Sequence, residues 1–139
     1  IFPKSATTAS MVIEYCKGGA IIWYTDSSFP CVSLYKPVLL KDGHFYALWK
    51  PLLTENNAEK SYSYWEARKN WASKPRKLEL SSQQAFVQSR DIAQKSIVEI
   101  AHQAFPAMIK EKTSTERMLS VYASEVAAIV GEWEEHWIN

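Results

Sequence analysis

Cysteine and histidine are the side chains best able to do nucleophilic or metal chemistry, and their spacing here supports neither. Cys16 and Cys31 form no CxxC motif, which indicates two small structural thiols. A disulfide between them stays open, because it depends on whether their strands are neighbours. His44, His102 and His136 stand far apart, so no HExxH or HxxxH pair predicts a metal site. We therefore expect no metal and no cofactor.

Two clusters of charged residues are explained by exposure to solvent. The first consists of Glu132, Glu134 and Glu135. Acid–base catalysis needs carboxylates that converge on a pocket, whereas a terminal amphipathic helix predicts a solvated face for them. The second consists of Lys74, Arg76 and Lys77. Basic residues beside an aromatic can bind nucleic acid, but three of them in a loop indicate a polar connection. No P-loop, GxGxxG or GxSxG motif occurs.

The composition is that of a single folded domain. Of 139 residues, 47% are apolar and 22% are charged, and the formal net charge is +1. This balance gives no electrostatic basis for nucleic acid or an anionic membrane as partner. No apolar run approaches the ~20 residues of a membrane helix, and the first residues lack the pattern of a signal peptide. Because the chain starts at Ile1 and not at Met, we expect a processed product or a piece of a longer protein.

Residues 10–40 predict three antiparallel strands. Residues 10–16 alternate, with Met11, Ile13 and Tyr15 on one face, and the adjacent Gly18 and Gly19 predict a tight turn. Residues 20–25 are apolar on both faces, so this strand needs covering layers on both sides. Residues 26–30 form a link, and residues 31–40 predict the third strand, with a turn at 41–43.

The remainder of the chain predicts helices. Residues 44–57 indicate a loop that can include one short strand or turn. Helices are predicted at 61–73, 81–112 and 114–136. Their starts carry three capping-box candidates, Ser63 with Glu66, Ser81 with Gln84, and Thr113 with Glu116. Pro106 should kink or divide the second of them. Six Trp and seven Tyr imply large buried rings or a partner surface.

The pattern therefore predicts an α+β chain, a three-stranded antiparallel meander followed by three or four helices. Residues 1–139 form a single domain or a fragment. Within it, 1–43 are the meander, 44–60 a loop and 61–139 the helical part.

Three short segments carry a resemblance to a known family. They are TASMV at 8–12, FPCVSLYKPV at 29–38 and SYWEAR at 63–68. Together they resemble the C-terminal part of the C69 peptidases, the dipeptidase and secernin group of N-terminal nucleophile hydrolases. The likeness spans roughly residues 7 to 130.

The resemblance implies an αββα sandwich and a cytoplasmic hydrolase that acts on a peptide or amide. The family's nucleophile is an N-terminal cysteine whose own α-amine serves as base. Ile1 stands first here, and Cys16 and Cys31 are internal, so no catalytic residue is carried over. The chain would be the non-nucleophile part, inactive alone, which completes the sheet and substrate cleft of a cysteine-dependent parent.

The partner would then be the missing N-terminal half, or a homo-oligomer. From their positions at strand ends, Thr8, Ser10, Ser27 and Ser28 are the candidate substrate-binding residues. The alternative is a free-standing α+β binding or dimerisation module with an aromatic pocket.

Overall fold

A computed structural model describes residues 9–25, 30–49 and 58–138, apart from the side chains of Ala58 and Ser61. Its strands are β1 (Ser10–Cys16), β2 (Gly19–Thr25), β3 (Lys36–Lys41) and β4 (His44–Ala47). Its helices are α1 (Ala58–Trp71), α2 (Leu80–Lys110) and α3 (Thr115–Trp137). Short 3-10 turns lie at Pro30–Val32 and Pro75–Lys77. The prediction of an α+β chain with an antiparallel meander followed by helices is confirmed, and of the three or four helices predicted the described residues form three.

Among the described residues, the sheet is a meander of four strands in the order β1-β2-β3-β4, with every neighbouring pair antiparallel. The predicted number of three strands is wrong, because part of the segment interpreted as a loop forms β4. The turn into β4 is formed by Asp42 at φ 51° and Gly43 at φ 74°. Two successive positive φ angles match the right-handed twist of a hairpin, so this turn returns the chain directly alongside β3.

The third strand begins later than predicted. Residues 30–32 form a 3-10 turn, and β3 starts only at Lys36. Pro37, which has no N–H to donate, occupies the second position of β3, and its carbonyl accepts the N–H of Leu48 at 3.0 Å. A proline is tolerated there because it lies at the end of the strand.

Helix α2 lies along β3 and is attached to it at two places. The side-chain amide of Gln94 accepts the N–H of Tyr35 at 2.7 Å and donates to its carbonyl at 3.1 Å. Lys41 Nζ donates to the carbonyls of Met108 at 2.9 Å and Glu111 at 2.8 Å, near the C-terminus of the helix. The Met108 carbonyl also accepts the N–H of Glu111 at 3.3 Å, so the lysine adds a donor at the C-terminus of the helix and joins it to the end of β3.

The helix starts differ from the sequence expectations, and the predicted division of α2 at Pro106 does not occur. Ser63 lies inside α1 and Ser81 inside α2, while Thr113 precedes the N-cap Ser114 of α3. Neither Ser114 nor Glu79, the N-cap of α2, makes a side-chain capping bond. Pro106 lies within α2 without dividing it. Its neighbour Phe105 and the nearby Met108 are buried in the core, and this packing holds both halves of α2 against the molecule.

The core lies between the sheet and the helices. Its fully buried members include Ile21, Leu39, Ile97, Met108 and Val126. An aromatic cluster continues the core beyond the sheet, where α1 packs against α2 and α3. It consists of Trp71, Phe86, Trp133 and Trp137, with ring centroids 5.1 to 6.1 Å apart. The abundance of aromatic residues is thus explained in part by rings that pack on each other.

Candidate functional site

Of the four predicted substrate-binding residues, the structure describes only Ser10. Its hydroxyl accepts a hydrogen bond from the Tyr35 hydroxyl at 2.9 Å, which links the start of β1 to the segment before β3. Thr8, Ser27 and Ser28 lie outside the described residues. Tyr35 is therefore the hydrogen-bond partner of Ser10, and a substrate-binding role stays a prediction for all four residues.

Both cysteines are free thiols. Cys16 ends β1, and β2 lies between β1 and β3, so the disulfide that the sequence left open is not formed. Partial burial, together with the nearby charge of Glu14, raises the pKa of the Cys16 thiol. A raised pKa disfavours the thiolate, the form that attacks a carbonyl or binds a metal. Cys31 is exposed.

Glu14 on β1 connects the sheet to α2. Its carboxylate accepts the indole N–H of Trp23 at 3.0 Å, and its two oxygens lie 2.9 and 3.1 Å from His102 Nε2. The Cys16 thiol donates to the Glu14 main-chain carbonyl at 3.7 Å, and not to the imidazole. A carboxylate and a histidine are present, but the neighbouring thiol is not activated by them. Within the described ranges, no three metal-binding side chains converge.

A buried polar cluster joins β3, α1 and α3, and we call it the Arg68 cluster. Arg68 is 5% exposed and forms an ion pair with Glu134, to which its Nε also donates at 3.3 Å. Tyr64 donates to the same carboxylate at 2.6 Å, and the guanidinium lies 3.0 Å from the centroid of its ring. The prediction of a solvated face is therefore wrong for Glu134, because α1 packs over it.

Lys36 extends the Arg68 cluster to the sheet. It is 1% exposed, with its Nζ 3.3 Å from the Tyr64 hydroxyl and 4.1 Å from the centroid of the Trp49 ring. The cluster thus holds two cations, a carboxylate and two aromatic rings in one buried place. Sequence reasoning did not find it. The spacing of Tyr64 and Arg68 on one helix face is visible in the sequence, but their partner Glu134 on α3 is 70 and 66 residues away.

The other side of the sheet is a continuous apolar surface, which we call the open face. It consists of Met11, Ile13, Tyr15, Ile22, Val38, Leu40 and Phe45, which the strand register places on the side opposite Ile21 and Leu39. The register also places Ala20 and Lys36 on this side, but both are buried, and Lys36 is covered by Trp49 and Tyr64, so the open face does not extend to the start of β3. Tyr15 is 86% exposed, Phe45 66% and Met11 63% in the described part of the chain. Such a contiguous apolar patch is typical of an interaction surface.

A shallow groove of about 650 Å³ runs between α2 and α3. Its lining includes Ser89, Ser96, Ile129, Trp133 and His136. The indole N–H of Trp133 has no hydrogen-bond partner, but the ring packs into the aromatic cluster. The aromatic rings therefore fill the end of the core more than they line a ligand pocket.

None of the described helices is long and apolar enough to cross a membrane. Lys74, Arg76 and Lys77 are exposed around the buried Pro75, in the 3-10 turn between α1 and α2. A scan against models of protein families, a search of curated proteins and a search of solved structures each found no match to this chain. The resemblance to the C69 peptidases therefore stays a prediction.

Proposed function

We propose that this chain is the C-terminal, non-nucleophile part of a C69-like hydrolase of peptides or amides. In this proposal it supplies one helical layer and one sheet layer of an αββα sandwich. The observation that supports it is the open face. Helices cover one side of the sheet, while Met11, Tyr15 and Phe45 on the other side are largely exposed.

A second sheet is the partner that fits a broad apolar sheet surface. Two sheets pack face to face about 10 Å apart, with their side chains interdigitated. Burial of a large apolar side chain stabilises by about 1.5–3 kcal/mol, so covering Phe45 and Tyr15 would contribute several kcal/mol to the assembly. The open face has the chemistry of the middle of such a sandwich and not of a solvated surface.

The proposal assigns nucleophile and base to the part that precedes this chain. Neither cysteine fits the nucleophile's place in the family, and the raised pKa of Cys16 opposes thiolate formation. This chain would contribute the walls of the substrate cleft near the start of β1, where Ser10 and Tyr35 meet at 2.9 Å. Their hydroxyls can donate to and accept from an amide.

The test compares this chain with the product of its complete reading frame. We expect no dipeptide hydrolysis from the chain alone, and cysteine-dependent hydrolysis from a longer product that includes an N-terminal cysteine after processing. In that product, Phe45→Lys should place a charge between the sheets and lower both stability and activity. Val121→Lys, at an exposed position of α3, is the matched control and should change neither. Cysteine-dependent turnover by the isolated chain would refute the proposal.

The open face also supports a second candidate, a free-standing dimerisation module. Its exposed members carry no charge, so the same surface could pack on itself. A reading frame that encodes no preceding segment would favour this candidate. Phe45→Lys would then convert a dimer to a monomer in analytical ultracentrifugation, whereas Val121→Lys would not.

A further inference from the structure

The outer edge of β1 presents main-chain groups that β2 does not use. Cys16 and Gly19 flank a two-residue turn and are therefore a hydrogen-bonded pair. Hydrogen-bonded and non-hydrogen-bonded pairs alternate along an antiparallel ladder, so Glu14 and Val12 also bond to β2. The N–H and C=O groups of Tyr15, Ile13 and Met11 consequently point away from β2. Since β1 is the first strand of the described sheet, these groups lie along its outer edge.

This edge lacks the features by which proteins prevent strand pairing. Its seven residues contain no proline and no lysine, and the register with β2 is unbroken, so there is no bulge. The carboxylate of Glu14 interacts with Trp23 and His102 on the helix side of the sheet. Its charge therefore does not prevent another strand from pairing with β1. Val12 on the helix side is 53% exposed and Ile13 on the open face 43%, so the strand is accessible from both faces.

We propose that two copies of this chain pair through their β1 edges, antiparallel, about a two-fold axis at Ile13. In this register Ile13 faces Ile13 of the second copy, and Met11 faces Tyr15. These are the residues with outward main-chain groups, so each facing pair exchanges both hydrogen bonds of an antiparallel ladder. A centre at Val12 or Glu14 would also align outward main-chain groups, but it would overlap only five of the seven residues of β1, and a centre at Glu14 would oppose two carboxylates.

A second copy fits this edge because the edge is complementary to itself. On one face, Met11 and Ile13 meet Tyr15 and Ile13 of the second copy, so apolar side chains contact apolar side chains. On the helix side Val12 faces Glu14 of the second copy, and no like charges are opposed. The two sheets would become one continuous sheet, and their open faces would form one surface of twice the width.

This pairing is independent of the proposed function. Its hydrogen bonds lie in the plane of the sheet, so the open face stays available for a second sheet. One seven-residue strand buries less area than the ~800 Å² per partner of a standard interface. We therefore expect a reversible dimer that forms as the concentration rises, and not a permanent one.

Hydrogen exchange of the unaltered chain tests the register directly. As the dimer forms in analytical ultracentrifugation, we expect the amides of Met11, Ile13 and Tyr15 to become protected. The amides of Val12 and Glu14 should be protected at every concentration, because β2 already holds them. A chain that stays monomeric up to millimolar concentration would overturn the proposal. So would a dimer in which the three alternate amides still exchange freely.

Substitutions at Val12 test the side-chain pairing without touching the open face. Val12→Glu would oppose Glu14 of the second copy twice per dimer, and we expect the dissociation constant to rise at least about threefold. Val12→Lys would face the same carboxylates, and the dissociation constant should fall by a similar factor. Equal shifts for both variants would overturn the proposed register.

Matched controls separate this interface from the open face. Val121→Glu and Val121→Lys place the same charges at an exposed position of α3 and should leave dimerisation unchanged. Phe45→Lys, on the open face, should also leave it unchanged. Loss of the dimer in Phe45→Lys would instead assign self-association to the open face and contradict pairing through β1.

Discussion

Arg68 is a charged side chain that the fold has almost removed from water. It is 5% exposed, and its guanidinium depends on Glu134 for its opposite charge. An isolated buried cation is very unfavourable, so the loss of one partner costs more than the net contribution of the intact pair. The Tyr64 hydroxyl also depends on this carboxylate, at 2.6 Å. Glu134 therefore links α3 to two side chains of α1, Tyr64 and Arg68.

We expect Glu134→Gln to destabilise the protein by about 2–4 kcal/mol, because it leaves the Arg68 charge buried without a counter-charge. The measurement is urea denaturation followed by circular dichroism. Glu132→Gln is the matched control: it makes the same change at an exposed position of α3 and should stay within about 0.5 kcal/mol. Equal stability of the two variants would show that the charge of Glu134 contributes nothing to stability.

At the scale of elements, the connection between α2 and α3 is organised by Glu111. Its carboxylate accepts the N–H groups of Lys112 and Thr113 and the hydroxyl of Thr113, each at 3.1 Å. The hydrogen bonds from Thr113, followed by that from the Ser114 N–H, lower the pKa of Glu111. The charged carboxylate is thus the form that holds this connection together.

The stabilisation by Glu111 should depend on pH. Because its folded pKa is lowered, the contribution is fully present above the unfolded value of 4.5 and is lost as the pH falls through the folded value. Glu111→Gln should therefore lower the stability at pH 7 and have a smaller effect at pH 3. Urea denaturation at both pH values measures this, with the exposed Glu125→Gln of α3 as control. An equal loss at both pH values would contradict a role for the charge.

Two glycines should respond oppositely to alanine. A Cβ on Gly19 would lie 2.0 Å from the Leu40 carbonyl oxygen, so Gly19→Ala must push β2 away from β3 and should cost at least about 2–3 kcal/mol. A Cβ on Gly131 would meet nothing within 4 Å, so Gly131→Ala should stabilise α3 by about 0.5–1 kcal/mol. Thermal denaturation of both variants checks the sign. Destabilisation by Gly131→Ala would show an unexpected role for that glycine.

The sequence predicted elements where local chemistry is decisive. The alternation in β1, the Gly18-Gly19 turn and the helical repeat of α3 need no knowledge of distant residues. β4 lies in a segment whose sequence predicts a loop, because four residues carry too short a pattern and the pairing with β3 is a tertiary contact. The Arg68–Glu134 pair has no sequence signal, since it depends on how α1 and α3 meet. Of the predicted cleft residues, only Ser10 lies in the described part of the chain.

The two sides of the sheet differ in how much apolar side-chain surface they expose. One side meets the helices and buries Ile21 and Leu39 almost completely, at 1% and 0% exposure. The open face leaves Tyr15 and Phe45 mostly in contact with water. An apolar surface of this kind is available to any partner of matching shape, including a small aromatic dye.

We expect the folded chain to bind the dye 1-anilinonaphthalene-8-sulfonate through the open face. Conversion of Met11, Ile13 and Phe45 to threonine should remove most of the fluorescence, because these side chains supply the exposed apolar area. The control is the same change at Leu80, Val87 and Ile92, a comparable set of exposed apolar residues on α2. Fluorescence that falls only in the control would place the dye site on α2.

Because the strand order follows the chain order, the sheet can form during synthesis, before the helices that cover it. Each strand pairs with the next one along the chain, so the whole meander can form as soon as Ala47 has left the ribosome. The C-terminus of α2, which covers the inner side of the sheet, follows about 60 residues later. At ~5–20 residues per second this interval lasts roughly 3–12 s. During that time the helices do not yet cover either side of the newly synthesised sheet. We therefore expect the yield of folded chain to depend on the speed of translation and on binding by chaperones.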